Sequence, residues 1–223
     1  MSDLLTQIPE AIIFDADGVI FDSEKLWDVG DRKFLKGKGA DKFPEEIKSR
    51  LAGTSLLEGT AMLLESIGLD TNVEEAAKER IKIMEELYAT RIEFLPGFLS
   101  FHDYVIKNNF KTCVATSMSR HLFPLIDRRT DFLSLFEGKV YSVTSVEKAK
   151  PAPDIYLYAA EKIQADPKKC LVIEDSPNGI KAANAAGMFT VGLASTFEPQ
   201  HLSEADIVFK TFHMIESFIE NSK

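Results

Sequence analysis

Short runs of consecutive apolar residues, separated by amphipathic segments, are the feature that most constrains the fold of this chain. The clearest runs are 11–14, 112–115 and 171–173, and further strands are predicted at 139–142, 189–192 and 206–209. Runs that are apolar at every position, without alternation, are typical of strands buried on both faces of a parallel sheet. The sequence therefore predicts an α/β fold in which helices cover a parallel sheet.

The strand pattern disappears between residues 22 and 92, where the sequence is charged and helical. Helices are predicted there at 24–35, 45–51, 56–67 and 73–92, the last from apolar residues that recur at helical spacing. The α/β pattern resumes at Pro96-Gly97, a turn signal before a predicted helix at 98–107. We therefore expect a core domain of residues 1–21 and 93–223, with an all-helical domain of residues 22–92 inserted into it.

Composition and charge exclude several classes of function. The 223 residues carry a formal net charge of −9, with 45% hydrophobic and 27% charged residues, as in an ordinary globular protein. The chain has no basic cluster and no apolar run of membrane-spanning length, so we expect no nucleic-acid or membrane partner. No signal peptide and no protein partner are evident. Cys113 and Cys170 lie in or beside strand-like runs, which favours reduced core residues and a cytoplasmic location.

Carboxylates follow two of the predicted buried strands. Asp15 and Asp17 come after the first strand, and Glu174 and Asp175 come after the run at 171–173. Because ligands bind beyond the carboxyl ends of parallel strands, we expect these side chains to share one crevice. Each pair alone is also compatible with an ordinary charged turn, the second one before a helix that Ser176 caps. Together, up to four carboxylates favour a hard divalent cation, and Mg²⁺ is the natural choice.

Hydroxyl and ammonium groups in two other segments are candidates for binding phosphate. Thr116 and Ser117 follow the run at 112–115, where hydroxyls and backbone N–H groups can hold phosphate oxygens, although helix capping explains them equally well. Lys150 precedes a proline and lies on a stiff loop before a helix, with an ordinary surface lysine as the alternative. With the acidic pairs, these groups predict a metal-assisted phosphate site.

These four pieces, in this order, resemble the motifs of the haloacid dehalogenase superfamily, specifically its phosphatase and phosphomutase branch with a helical cap. The first motif reads Asp15-Ala16-Asp17-Gly18-Val19, and the last reads Glu174-Asp175-Ser176, followed by Gly179 and Gly187. Thr116 matches the second motif, and Lys150, in a Lys-Pro-x-Pro-Asp segment, matches the third. The resemblance covers essentially the whole chain. It implies a Rossmann-like core, a cap inserted after the first motif, Mg²⁺ and a phospho-aspartyl intermediate.

The resemblance also implies roles for individual residues. Asp15 would be the nucleophile, and Asp17 would protonate the leaving oxygen and later activate water. The groups that bind the transferring phosphoryl would be Thr116, Ser117 and Lys150. The metal would be held by Asp15, by the backbone carbonyl of Asp17 and by Asp175, with Glu174 in or next to the coordination shell.

Two positions distinguish among the activities of this superfamily. Dehalogenases and phosphonate-cleaving members lack the second acid, and this chain has Asp17, so neither chemistry is expected. Trp27 stands where relatives of β-phosphoglucomutase carry a histidine, which argues against mutase activity. A segment at 48–54 resembles their substrate-facing cap loop. It makes Arg50, Gly53 and Thr54 candidate substrate contacts, although Arg50 is equally compatible with a surface helix end.

The function that we expect is therefore a Mg²⁺-dependent phosphatase acting on a small phosphorylated metabolite, with a sugar phosphate as the favoured substrate. A sugar phosphomutase is the alternative within enzymes. A noncatalytic phospho-ligand binder is the least favoured hypothesis, because such a protein has no need of both Asp15 and Asp17.

Overall fold

The computed structural model describes residues 8–40, 42–51 and 54–222 of the chain. The chain divides into two compact units, Ser23–Ile92 and the remainder, which ends at Asp22 and resumes at Glu93. The first junction lies one residue after the predicted boundary at 21–22, and the second lies at the predicted place. Among the helices in the described ranges, none is long and apolar enough to cross a membrane.

Within its described residues, the α/β unit contains a six-stranded sheet in which all neighbouring strands are parallel. The strands are β1 (Ala11–Phe14), β2 (Lys111–Thr116), β3 (Val140–Ser142), β4 (Cys170–Glu174), β5 (Phe189–Leu193) and β6 (Ile207–Phe209). Their order across the sheet is β3-β2-β1-β4-β5-β6, so β1 lies near the middle. All six predicted strands are confirmed, with ends that differ by at most one residue.

Helices occupy most of the remaining described chain. In chain order they are α1 (Ser23–Gly37), α2 (Lys48–Leu51), α3 (Leu56–Ser66), α4 (Val73–Arg91), α5 (Phe98–Lys107), α6 (Phe123–Thr130), α7 (Phe132–Leu135), α8 (Asp154–Lys162), α9 (Pro177–Ala185) and α10 (Phe212–Glu220). The predicted helix at 98–107 is confirmed as α5. The predicted cap at Ser176 is confirmed as well, because its hydroxyl accepts the amide N–H of Gly179 at the start of α9.

Both faces of the sheet are covered, which explains why the strands are apolar at consecutive positions. On one face, Ile13 and Val172 belong to a buried cluster that also contains side chains of α8 and α9. On the other face, the ring of Phe14 makes edge-to-face contacts with Phe98 and Phe101 of α5, with centroids 5.8 and 6.1 Å apart. The central strands of the sheet therefore pack against apolar side chains of helices on both faces.

The two cysteines belong to this core. Cys113 and Cys170 are buried and form no disulfide. Burial raises the pKa of both thiols, that of Cys170 to about 12, so both remain protonated at neutral pH. Their assignment as reduced core residues is confirmed. The cytoplasmic location remains a prediction.

The second unit, Ser23–Ile92, contains α1 to α4 and, in its described residues, no strand. The predicted helix at 45–51 is split into a 3₁₀ turn, Glu45–Ile47, and the short helix α2. The other three predicted helices each form one continuous helix. One buried apolar cluster of the unit consists of Phe34, Leu35, Ile47, Leu63, Leu64 and Ala76.

A buried ion pair connects α1 to α4 inside this helical unit. Nε and Nη2 of Arg80 donate to the two carboxylate oxygens of Asp31 at 2.7 and 3.0 Å, and both side chains are 5% exposed. The indole ring of Trp27 lies 4.9 Å from the Arg80 guanidinium carbon, a cation–π contact. Separating the two side chains would leave an uncompensated buried charge. The pair therefore disfavours any packing of α1 and α4 that moves Asp31 away from Arg80.

Candidate active site

The strand register forms a row of three residues at the carboxyl end of the sheet. Phe14, the last residue of β1, is level with Ile173 of β4. The amide N–H of Asp15 continues the ladder by donating to the carbonyl of Ile173 at 3.0 Å. The next row therefore holds Asp15, Ala115 of β2 and Glu174 of β4, on three adjacent strands.

Lys150 contacts every member of this row. Its Nζ donates to Oδ1 of Asp15 at 2.5 Å, to Oε1 of Glu174 at 2.7 Å and to the carbonyl of Ala115 at 3.1 Å. An ammonium has three N–H donors, so all three are used. The side chain is 5% exposed, which excludes the alternative of a surface lysine. Burial alone lowers the pKa of Lys150, but Asp15 and Glu174 outweigh it and raise that pKa well above its ordinary value.

The carboxylate of Glu174 points into the protein and accepts four hydrogen bonds. Oε1 accepts from Lys150 and from the phenol of Tyr156 at 3.0 Å, and Oε2 accepts from the amide and hydroxyl of Ser176 at 2.8 and 2.9 Å. A carboxylate offers about four lone-pair sites, so these donors occupy all of them. These contacts show what Glu174 binds within the protein, and its place in or next to the metal's coordination shell remains a prediction. Space is tight here: a Cβ on Gly179 would lie 1.7 Å from Oε1.

Asp175, the next residue, is held against the turn that follows β1. A Cβ on Gly18 would lie 1.9 Å from Oδ2 of Asp175, and the φ of Gly18 is +73°, so two independent reasons require glycine there. The hydroxyl of Ser195 donates to the carbonyl of Gly18. A side-chain hydrogen bond also joins Thr196 to Asp175. The loop after β5 therefore fixes both the Asp175 carboxylate and the turn that carries Asp17.

Asp17 lies in that tight turn, immediately beyond β1. The amide of Phe21 donates to the carbonyl of Ala16 at 3.0 Å, and the amide of Gly18 donates to the carbonyl of Phe21 at 2.9 Å. Asp17 also forms an isolated bridge with Phe21, and it is half-buried. The turn holds the backbone of Asp17 in a fixed position two residues after Asp15.

Thr116 and Ser117 end β2 at the same edge of the sheet. Thr116 is buried, and its hydroxyl accepts the amide N–H of Met118 at 3.0 Å. This hydrogen bond closes a local turn and caps no helix, because the next helical turn begins at Arg120. The hydroxyl proton of Thr116 remains a donor. Ser117 is exposed.

The charge balance at this edge of the sheet favours a bound cation. Asp15, Glu174 and Asp175 are all buried, and Lys150 contacts the first two. Burial, with repulsion among the carboxylates, raises the pKa of Asp15 to about 7 and that of Asp175 well above its ordinary value. A cation beside Asp15 and Asp175 would compensate the excess negative charge and keep both ionised.

The donor set suits Mg²⁺ better than a metal that needs a complete protein cage. Within the described part of the chain, no group of three or more His, Cys, Asp or Glu side chains is arranged to hold a metal ion. Mg²⁺ is usually bound through one or two carboxylates and completes its octahedron with water and substrate phosphate. Asp15 and Asp175, with the backbone carbonyl of Asp17, fit that requirement.

The predicted substrate contacts belong to the helical unit. Arg50 is exposed on α2, and the hydroxyl of Thr54 donates to the carbonyl of Leu51 at 2.7 Å. Gly53 lies outside the described residues. The assignment of these three residues to substrate binding remains a prediction.

Comparison with known proteins places the chain in a family. The pattern of the haloacid dehalogenase-like hydrolases matches residues 9–187, a span that contains both strand-end acidic pairs and Lys150. The chain is a haloacid dehalogenase-like hydrolase. The predicted family resemblance is therefore confirmed, and the chain is an enzyme.

Individual relatives of this hydrolase agree with that assignment. The chain is 34% identical over 184 residues to a Drosophila melanogaster protein named "Probable pseudouridine-5'-phosphatase", covering 80% of this chain and 79% of the relative. It is 30% identical over 179 residues to the "Phosphorylated carbohydrates phosphatase" of Thermotoga maritima, covering 80% and 82%. A solved β-phosphoglucomutase from Clostridium difficile superposes with a TM-score of 0.72 at 26% identity, covering 95% and 97%. The predicted Rossmann-like core is confirmed by this likeness.

Four residues of the hydrolase's site were missed by the sequence analysis or given another role there. Tyr156 lies on the apolar face of α8. Because a buried hydroxyl needs a hydrogen-bond partner, a tyrosine at this position was a signal that could have identified it. Ser195 and Thr196 follow β5, at the same carboxyl edge of the sheet as the acidic pairs. Ser176, predicted only as a helix cap, also donates to Glu174.

Proposed function

We propose that this chain is a Mg²⁺-dependent phosphatase that hydrolyses a small phosphomonoester through a phospho-aspartyl intermediate on Asp15. The observation that carries the proposal is the buried pair of Asp15 and Lys150 at the carboxyl end of a central strand, with Nζ 2.5 Å from Oδ1. The two curated relatives described above are both named phosphatases, which supports the same class of reaction.

In the first step, a carboxylate oxygen of Asp15 attacks the phosphorus atom. A new O–P bond forms, and the ester P–O bond to the substrate alcohol breaks. Asp17 donates a proton to the leaving oxygen, so that an alcohol departs instead of an alkoxide. Lys150 and the hydroxyl of Thr116 stabilise the negative charge that the phosphoryl oxygens carry in the transition state.

In the second step, water attacks the phosphorus of the acyl phosphate. Asp17, now ionised, accepts a proton from that water, and the bond between phosphorus and the Asp15 oxygen breaks. Inorganic phosphate is released, and Asp15 and Asp17 return to their initial protonation states. One aspartate therefore serves as nucleophile and the other as acid and then base.

The metal would be held by Asp15, by the backbone carbonyl of Asp17 and by Asp175. When bound, Mg²⁺ supplies positive charge to the phosphoryl oxygens and to the Asp15 carboxylate. Asp15 has a pKa raised to about 7 in the protein alone, so compensation of its charge also favours the ionised, nucleophilic form.

A sugar phosphate is the substrate class that we favour. The names of the two curated relatives refer to a nucleoside 5'-phosphate and to phosphorylated carbohydrates, which are both phosphomonoesters of a sugar. Arg50 and Thr54 remain the predicted contacts with the sugar. Both compounds are small, in agreement with the expected metabolite substrate.

A sugar phosphomutase is the second candidate, since one solved structure of similar fold is a β-phosphoglucomutase. Trp27 argues against it: indole has a donor N–H and cannot relay a proton as the imidazole of the mutases does. We expect incubation with β-glucose 1-phosphate, Mg²⁺ and catalytic glucose 1,6-bisphosphate to release inorganic phosphate, if that sugar is accepted. Efficient formation of glucose 6-phosphate without phosphate release would favour the mutase instead.

The proposal is tested by screening phosphomonoesters against the purified protein with and without Mg²⁺. We expect turnover that chelation abolishes and Mg²⁺ restores. Asp15→Asn should abolish turnover with an unchanged circular dichroism spectrum, and acid-quenched wild-type protein should carry phosphate on Asp15. Activity of more than a few per cent in folded Asp15→Asn would exclude the covalent mechanism, because a nucleophile cannot be bypassed.

A further inference from the structure

Tyr156 is a buried polar residue that the reaction described above does not use. It is 0% exposed and belongs to the apolar cluster under α8. Its hydroxyl donates to Oε1 of Glu174 at 3.0 Å, the oxygen that also accepts from Lys150. The Lys150 ammonium lies 4.8 Å from the centroid of the Tyr156 ring. Tyr156 therefore interacts with Lys150 in two ways: its ring contacts the ammonium directly, and its hydroxyl shares the Glu174 oxygen that the ammonium binds.

We propose that Tyr156, acting through Glu174, is a positioning residue that fixes the ammonium of Lys150 for phosphoryl transfer. The inference rests on the proposed function, because it concerns how the phosphoryl-binding lysine is held.

The first reason is the flexibility of lysine. Its ammonium is a point charge on a four-carbon stem, so its position depends on partners that are themselves fixed. Asp15 is not a fixed partner during the reaction, since its carboxylate becomes phosphorylated. The carbonyl of Ala115 and Glu174 are then the partners that stay in place.

The second reason is the number of donors that hold Glu174. Ser176 fixes Oε2 through its amide and its hydroxyl, at 2.8 and 2.9 Å. The Tyr156 hydroxyl donates to Oε1 at 3.0 Å, the same oxygen that accepts from Lys150. Without that hydroxyl, Oε1 has one donor fewer, and the carboxylate can turn about its bond to Cγ. The ammonium would follow such a turn.

The third reason is the cost of the hydroxyl itself. A phenol oxygen buried in an apolar cluster loses its hydration, which costs free energy unless a hydrogen bond replaces it. Phenylalanine would fill the same apolar space without this cost. The hydrogen bond to Glu174 is thus what the tyrosine adds to this position.

The experiment compares Tyr156→Phe with Tyr158→Phe, a matched control on the same helix. Tyr158 is half-buried, and its contacts include the ring of Tyr141 at 5.5 Å and Lys162. Both variants lose one phenol hydroxyl. Five quantities are measured: kcat and KM for p-nitrophenyl phosphate, the affinity for inorganic phosphate with Mg²⁺ present, the Mg²⁺ affinity by calorimetry, and the thermal midpoint.

We expect kcat of Tyr156→Phe to fall about tenfold, the size of one lost hydrogen bond to a charged group, with a much smaller change in KM. Phosphate affinity should fall in the same variant, whereas Mg²⁺ affinity should be unchanged. Tyr158→Phe should match the wild type in all of these. A purely structural role for Tyr156 would lower the thermal midpoint and leave kcat of the folded protein unchanged.

Three results would overturn the inference: an unchanged kcat and phosphate affinity in Tyr156→Phe, equal losses in Tyr158→Phe, or a loss of Mg²⁺ affinity that accounts for the loss of kcat. If Tyr156→Phe does not fold, Glu174→Gln is measured in its place, with the same expected losses in kcat and phosphate affinity. Failure of the proposed function is a separate outcome, because it would appear as an inactive wild type or an active Asp15→Asn.

Discussion

Replacing Gly179 with alanine tests how tightly the carboxylate of Glu174 is held. Gly179 is the third residue of α9, and a Cβ added to it would point at the carboxylate of Glu174. An added Cβ would lie 1.7, 1.9 and 2.3 Å from Oε1, Cδ and Oε2 of that residue, so the whole carboxylate must move. Real Cβ atoms do not approach other atoms so closely.

The expected magnitude follows from the contacts that such a movement breaks. Alanine in a helix interior is favoured over glycine by about 1 kcal/mol. Against this, displacement of the carboxylate breaks at least two of its four hydrogen bonds. Each bond to a charged group contributes about 1.5–3 kcal/mol, so the net decrease in the free energy of unfolding is about 2–5 kcal/mol. Glu174 is 1% exposed, so water cannot replace the lost donors without opening the site.

Urea titration followed by circular dichroism, with kcat/KM measured in parallel, checks this expectation. Gly37→Ala at the end of α1 is the matched control, since among the described residues nothing lies within 4 Å of an added Cβ there. That variant should be as stable as the wild type or slightly more stable. Fluorescence of Trp27, the single tryptophan, reports on the helical unit and separates its unfolding from that of the α/β unit.

Both stability and activity should respond to Gly179→Ala, because Glu174 also holds Lys150. We expect kcat/KM to fall together with the urea midpoint of the α/β unit. A variant as stable as the wild type, with unchanged kcat/KM, would refute the reasoning. It would mean that the Glu174 carboxylate can leave its four donors without loss.

Three further outcomes follow from other buried ionisable side chains. Burial lowers the pKa of His102 below its ordinary 6.5 in the folded protein. The unfolded chain therefore binds the proton first, and the contribution of His102 to stability, present above pH 6.5, is lost as the pH falls towards the folded pKa. In urea titrations of the wild type, the free energy of unfolding should therefore fall by up to about 1.4 kcal/mol per pH unit in this range. His102→Phe should abolish this pH dependence, whereas His201→Gln, on the surface, should leave it unchanged. Arg80→Met leaves the Asp31 carboxylate buried without its partner. It should therefore lower the free energy of unfolding by about 3–5 kcal/mol, and adding Asp31→Leu should restore most of it in the same assay. Lys150→Met should reduce kcat about 10²–10³-fold at saturating Mg²⁺, and an unchanged kcat would contradict its role at the phosphoryl group.

Local patterns were sufficient to predict most of the secondary structure. The strands were readable because burial on both faces makes consecutive positions apolar, as in 170–173 before the acidic pair. The start of α9 was readable because Ser176 and Pro177 are a cap and a first helical residue. The helix predicted at 45–51 was wrong in detail, since a pattern of seven residues does not distinguish a 3₁₀ turn followed by one α turn from a single helix.

The sequence by itself determined that Asp15, Thr116 and Asp175 lie at or beyond strand ends, because the strand pattern stops at or just before them. It placed Lys150 on a stiff loop before a helix, because a proline follows it. Only the tertiary structure decided which groups they meet. Lys150 is 135 residues from Asp15, and no local signal states that its ammonium joins three adjacent strands. Glu174 shows the same limit: side chains alternate between faces along a strand, so its direction depends on the register of β4, which is set by pairing with β1. The register turns Glu174 toward Tyr156 and Lys150, and leaves Asp175 beside Gly18.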